Sequence, residues 1–254
     1  MTENEIERSR QEFRARLDGL RQGVLDMAEL VKGRLERALA ALSEQSNGQD
    51  VARSVIDGDQ AVNDRYLDLE SECISLLALQ QPVAGDLHLV TASFKIITDL
   101  ERIGDLATNL AGYALESSGD RFPEIDLTAI GSLAKRMLTA AIEAYAAGED
   151  EWACREVAAL DDDLDARCEH ASKVVVRYLL GFELEGGGGS GTDTDTNEGG
   201  EESVDGECTT VEGLLADVSL LLYTIRDLER IGDHAVNVAA RTLYIVESDA
   251  ALVR

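Results

Sequence analysis

Apolar residues recur at spacings of three and four along most of the chain, the period of helices that bury one face. Leu17, Leu20, Val24, Met27, Leu30, Val31, Leu35, Ala38, Leu39 and Leu42 form a first stripe, which Ser46-Asn47-Gly48 ends. Asp50 is placed to cap a second helix carrying Val51, Val55, Val62, Tyr66, Leu69, Cys73 and Leu76, and Pro82 and Gly85 break it. A third helix is predicted from about Leu87 to about Leu115, followed by a turn at Ser117–Arg121. Pro123 suits the first turn of a fourth helix, with Leu127, Ile130, Leu133, Met137, Leu138 and Ile142 on its buried face and Gly148 at its end. A fifth helix spans about Glu151 to Leu180 and a sixth about Val211 to Val246. No segment alternates with period two for long, so no sheet is predicted and the fold class is all-α.

The chain repeats itself. TDLERIGDLATNLA (Thr98–Ala111) and RDLERIGDHAVNVA (Arg226–Ala239) agree at ten of fourteen positions, a duplication rather than a coincidence. These copies lie 128 residues apart. GDQAVNDRYLDLE (Gly58–Glu70) resembles LDDDLDARCEHAS (Leu160–Ser172) at a distance of only 102, so the second half holds 26 additional residues. They fall in Gly181–Thr210, which has nine glycines, nine acids and no Lys or Arg. Such composition buries too little apolar surface to offset the entropy of ordering, and a flexible insertion at 181–210 is expected. The architecture is then two tandem three-helix bundles, six long helices in all, with units at 1–120 and 121–254. Short turns make the helices of each unit antiparallel.

Charge narrows the function classes. Fifty acids against 23 bases leave a net charge of −27, and −18 without the nine acids of the insertion. A body so acidic repels nucleic acid and anionic membranes. Only Lys32, Lys95, Lys135 and Lys173 are lysines, and acidic excess with scarce lysine fits a halophilic archaeon's salty cytoplasm. Cys73, Cys154, Cys168 and Cys208 form no CxxC pair and read as reduced, structural thiols. Without a signal peptide or an apolar run near 18 residues, a cytoplasmic protein with no membrane insertion is expected.

Each motif copy places Glu, Asp and Asn at i, i+4 and i+8, which 3.6 residues per turn bring within about 80° on one helix edge. These are Glu101, Asp105 and Asn109, then Glu229, Asp233 and Asn237. On the preceding helices Asp59 with Asn63, and Asp161 with Asp165, stand at matching offsets and can face them. Clustered carboxylates need protons, arginines or a cation to neutralise them, and an oxygen-only shell suits a hard cation such as Mg, Ca, Mn or iron. A solvated, salt-bridged face, with Glu101–Arg102 and Glu229–Arg230 as ordinary surface charge, is the plainer alternative. The repetition of both acid pairs weighs for metal. Gly104 and Gly232, in mid-helix, mark either a close helix approach or a cluster. No Glu-x-x-His signature is present, His234 has Leu106 as its repeat partner, and His88 and His170 read as structural. Asp193-Thr-Asp195-Thr-Asn197 lacks the glycine and final glutamate of an EF-hand.

DLERIGD followed by A-x-N on a repeated three-helix unit, with QQPVAGDLHLVTASFKIITDLERIGD before it and GDQAVND on helix two, resembles the PhoU family of phosphate-uptake regulators from Leu20 to Leu243. The resemblance implies a PhoU-like cytosolic homodimer that binds a multinuclear metal, iron foremost with Mn, Mg or Zn as alternatives. Carried over, Asp59, Glu101, Asp105, Asp161, Asp165, Glu229 and Asp233 are the ligands, with Asn63, Asn109 and Asn237 as additional candidates. Asn63 replaces an acid and weakens the first site. The function implied is negative regulation of phosphate uptake and homeostasis, by an adaptor that contacts the phosphate ABC transporter and its sensor or regulatory proteins. A carboxylate-bridged metalloenzyme or a metal-free scaffold are the alternatives. An enzyme is not expected, because neither acid row has a matched general base.

Overall fold

The computed structural model describes residues 3–43, 48–80, 84–117, 122, 124–148, 151–186 and 205–252. Among these there is no strand; helices α1 (Glu3–Ser43), α2 (Gly48–Asp57), α3 (Gln60–Gln80), α4 (Ala84–Glu116), α5 (Leu127–Ala147), α6 (Glu151–Gly186) and α7 (Asp205–Leu252) follow in order. The first repeat is α1 to α4 and the second α5 to α7.

One expected helix is two. The second breaks at Gly58–Asp59, where Asp59 N donates to Ile56 O and Val62 N to Asp59 O in tight turns. A Cβ at position 58 would stand 3.0 Å from Arg34 Nη1, so the break leaves room for an arginine arriving from α1. Other boundaries moved too. The α5 cap is Asp126, whose carboxylate accepts from Ala129 N at 2.8 Å; Pro123 lies outside the described residues. Asp50 sits within the first turn of α2 rather than capping it. Gly148 ends α5 as expected, at φ 74 with its N–H on Ala144 O. The 181–210 insertion is shortened at both ends, since α6 continues to Gly186 and α7 begins at Asp205. Once nucleated, a helix adds a hydrogen bond for each residue it fixes and can run on into unfavourable composition. Residues 187–204 of the insertion, and with them the EF-hand-like stretch, lie outside the described residues.

Helices α4 and α7 form the centre. Helix α4 packs on α1, α2, α3 and α7, and α7 on α4, α5 and α6, with α1 also touching α5. The aliphatic stripes therefore merge into one continuous core through both repeats, including Leu100, Ile103, Leu110, Leu228, Ile231 and Val238. Cys73, Cys154 and Cys168 are buried and unbridged. Burial pushes the Cys73 and Cys168 thiols up to about 12, which keeps them unreactive. Among the described residues no helix is long and apolar enough to cross a membrane.

Candidate metal centre

The two motif helices lie antiparallel and fasten to each other through their repeated aspartates. Asn109 Nδ2 on α4 donates to Asp227 Oδ2 on α7 at 3.2 Å, and Asn237 Nδ2 on α7 donates to Asp99 Oδ1 on α4 at 3.4 Å. Each contact is the other's repeat equivalent. Tyr113 OH also donates to Asp227 Oδ2 at 3.0 Å, and Asp99 Oδ1 lies 2.9 Å from His234 Nδ1. Asn109 and Asn237, expected as additional ligands, thus donate their amide N–H groups to this lock. The i, i+8 spacing put them near the acids' edge, but α4 and α7 pack on the side they share. Asp99 and Asp227 stand inside the repeated heptapeptide, but the i, i+4 acid pattern does not single them out.

The remaining motif acids turn away from the lock and meet the helices expected opposite them. In the second repeat, Asp161 on α6 lies close enough to Asp165, Asp233, Asp162 and Glu229 to feel their charge. Glu229 and Asp233 in turn feel Asp165. Asp161 Oδ1 is a buried atom that accepts no hydrogen bond among the described residues. Asp161 and Asp233 line an open cleft of about 800 Å³ with Arg102, Arg230, His234, Val236 and Asn237. Gly232 lets α6 come this close: a Cβ there would collide with Leu164 Cδ2 and lie 3.4 Å from Asp161 Oδ1. Gly104 plays the same part opposite Val62 in the first repeat, at 3.1 Å. Both glycines therefore serve close helix packing.

The first repeat is built differently. Glu101 and Asp105 feel Asp59 across the gap, but Asp59 is already satisfied. Thr108 Oγ1 donates to its Oδ1 at 2.8 Å, Arg34 Nη2 pairs with the same oxygen at 3.2 Å, and Asn63 Nδ2 donates to Oδ2 at 3.3 Å. Asn63, a candidate ligand, braces Asp59 through this Nδ2–H. Arg34 is 1% exposed and also donates to Thr108 Oγ1 at 2.9 Å. Burial holds its guanidinium below its usual value, opposed by Asp59 and Asp105. Position 34 falls inside the apolar stripe, between Val31, Leu35 and Ala38; that placement was the signal that could have revealed it.

The donor chemistry fits a hard cation at the second row. All four groups are carboxylates, and one buried oxygen lacks a donor. Asp161, Asp165, Glu229 and Asp233 would hold the ion, which would supply positive charge that no buried Arg or Lys provides there. Among the described residues no three acidic, His or Cys side chains are already gathered to hold an ion. Holding an ion there would therefore need the carboxylates to move inward, against their mutual repulsion.

That repulsion predicts a pH response. Burial first, and the neighbouring acids second, push Asp161 up to about 6 and raise Glu101, Asp105, Glu229 and Asp233 in the same direction. An aspartate in the unfolded chain titrates near about 3.9. The folded chain thus binds the proton more tightly, and its stability falls as pH rises from about 4 through 6. Without divalent cations, the melting temperature is expected to drop between pH 5 and pH 7. Asp161→Asn should flatten that slope, and an unchanged slope in the variant would refute the assignment.

Comparison with known proteins bears on the same helices. The model of the PhoU domain matches residues 24–114 and 205–242, which include both copies of the motif. A "Phosphate-specific transport system accessory protein PhoU homolog" of Pseudomonas putida is 29% identical over 239 residues, 93% of this chain and 81% of that protein. A homologue from Methanothermobacter thermautotrophicus is 30% identical over 237 residues, 92% of this chain and 94% of its own length. The crystal structure of PhoU from Pseudomonas aeruginosa superposes with a TM-score of 0.72 at 29% identity, covering 92% of this chain and 99% of that one. With the duplicated motif, the bundle and the alignment running over the same residues, the chain belongs to the PhoU family.

Proposed function

We propose that this protein is a negative regulator of phosphate uptake, an adaptor that acts on the phosphate ABC transporter and its signalling partners. The observation that carries the reading is the mutual fastening of the two DLERIGD helices, in a chain aligned over nine-tenths of its length with phosphate-transport accessory proteins. In this reading the acids of the second row hold a hard cation, iron foremost, that ties α6 to α7 and stiffens the bundle. The protein works in the cytoplasm as a homodimer, and its net charge of −27 keeps it from nucleic acid and anionic lipid. Its role is binding rather than turnover. The imidazole beside the second row, His234, has its Nδ1 engaged with Asp99 and braces the helix pair.

Deleting the gene tests the reading. Phosphate uptake, or polyphosphate content, is expected to rise in cells grown with excess phosphate and to return to normal when the gene is restored. Uptake unchanged across all phosphate levels would refute it.

A further inference from the structure

The two halves differ in charge at one buried position. Moving α1 forward by 103 residues, so that Met27 falls on Ile130, superposes its buried face on that of α5. Ala28, Val31, Leu35, Ala38 and Ala41 then fall on Gly131, Ala134, Leu138, Ala141 and Ala144, all buried. In this register Arg34 falls on Met137, and the two are 1% and 0% exposed. Spatial neighbours agree with the register. Arg34 reaches into the first acid row to pair with Asp59. Met137 Cε comes 3.4 Å from the Cβ position of Gly232, the same point that Asp161 Oδ1 approaches to 3.4 Å. A guanidinium in one repeat is thus replaced by a thioether methyl in the other, each beside the equivalent aspartate.

The consequences for a cation are opposite. In the first row Asp59, Glu101 and Asp105 carry three negative charges against the one positive charge of Arg34, and both Asp59 oxygens are bonded. An incoming metal ion would meet a like charge a few ångströms away and would have to break those bonds. Arg34 cannot easily withdraw, because a buried guanidinium without a counter-ion is strongly disfavoured. The second row has four carboxylates, no buried guanidinium or ammonium among the described residues and an unbonded Asp161 oxygen; buried His234, which borders Asp233, is already engaged by Asp99. Arg102 and Arg230 border its cleft from exposed positions. We propose that Arg34 is a built-in counter-ion that takes a metal's place in the first acid row, so that this chain takes up a hard cation only at the second row. The proposal rests on the reading of the acid rows as cation sites.

Mn²⁺ titrated into the metal-stripped full-length protein tests both, by calorimetric stoichiometry and by the shift in melting temperature. Wild type is expected to bind at the second row alone. Asp233→Asn and Met137→Arg should each weaken binding at least tenfold, while Asp105→Asn, the repeat equivalent of Asp233→Asn, should leave it unchanged. Arg34→Met, or Arg34→Gln where the methionine variant does not fold, should add Mn²⁺ equivalents that Asp105→Asn then removes. Equal losses from Asp105→Asn and Asp233→Asn in wild type would overturn the proposal and leave the metal reading standing. So would an unchanged stoichiometry in both Arg34 variants, or undiminished binding in Met137→Arg. No Mn²⁺ bound by wild type or by any variant would instead overturn the metal reading beneath it.

Discussion

Leu100→Ala is expected to lower the stability of the fold by about 3 kcal/mol, within the range of about 2–5 kcal/mol for emptying a rigid leucine site. Leu100 is 0% exposed and sits on α4, which is held by α1, α2, α3 and α7 at once. Held by four helices, α4 cannot move in to fill the void, so the cost includes the cavity as well as the lost transfer energy. At about 2–4 °C per kcal/mol for a chain of this size, the melting temperature should fall by about 6–12 °C. Leu228, its equivalent on α7 and also 0% exposed, should behave alike. Leu67→Ala is the control, since Leu67 is 56% exposed and should change stability by no more than about 0.5 kcal/mol. A loss below about 1 kcal/mol for both Leu100→Ala and Leu228→Ala would mean that α4 and α7 are not the centre of the core.

Asp227→Ala should cost about 2–3 kcal/mol, for a different reason. Its carboxylate is buried, accepts from Asn109 and Tyr113, and lies 3.5 Å from the Arg230 guanidinium. Hydrogen bonds to a charged group contribute about 1.5–3 kcal/mol, and truncation leaves the half-buried Tyr113 hydroxyl without its acceptor. Tyr113 supplies a second readout. Burial, and then the Asp227 charge, push its phenol up to about 12. Removing that charge should bring the phenol part of the way back, as followed by ultraviolet titration. Asp227→Asn keeps the shape and loses the charge, so it should fall between wild type and Asp227→Ala in both measurements. Wild-type stability together with an unmoved Tyr113 titration in Asp227→Ala would show that the lock does not hold the helices.

The acid rows were legible because they repeat. Glu101, Asp105, Glu229 and Asp233 are paired at four-residue spacing, and the helix period alone puts each pair on one edge. The facing groups Asp59, Asp161 and Asp165 followed from the antiparallel order of neighbouring helices. The lock made by Asn109 and Asn237 was not legible, because an about 80° span on one helix does not say which part of it another helix will cover. The break between α2 and α3 was missed for a related reason. Gly58 marks it in the chain, but the side chain it makes room for belongs to an arginine 24 positions earlier, on another helix.

Local order in this protein was therefore determined by the amino-acid sequence itself. The period of the apolar stripes, the duplication and the acid pairs all depend on residues within a few turns of one another. Which acids are neutralised, and by what, was decided only by tertiary packing. Asp59 meets Arg34 and Thr108, at separations of 25 and 49 residues, and Asp227 meets Asn109 at 118. Electrostatic energy depends on distance through space and on burial, neither of which can be read from spacing along the chain. Two rows of similar composition thus become one closed by its own arginine and one left with a bare carboxylate oxygen.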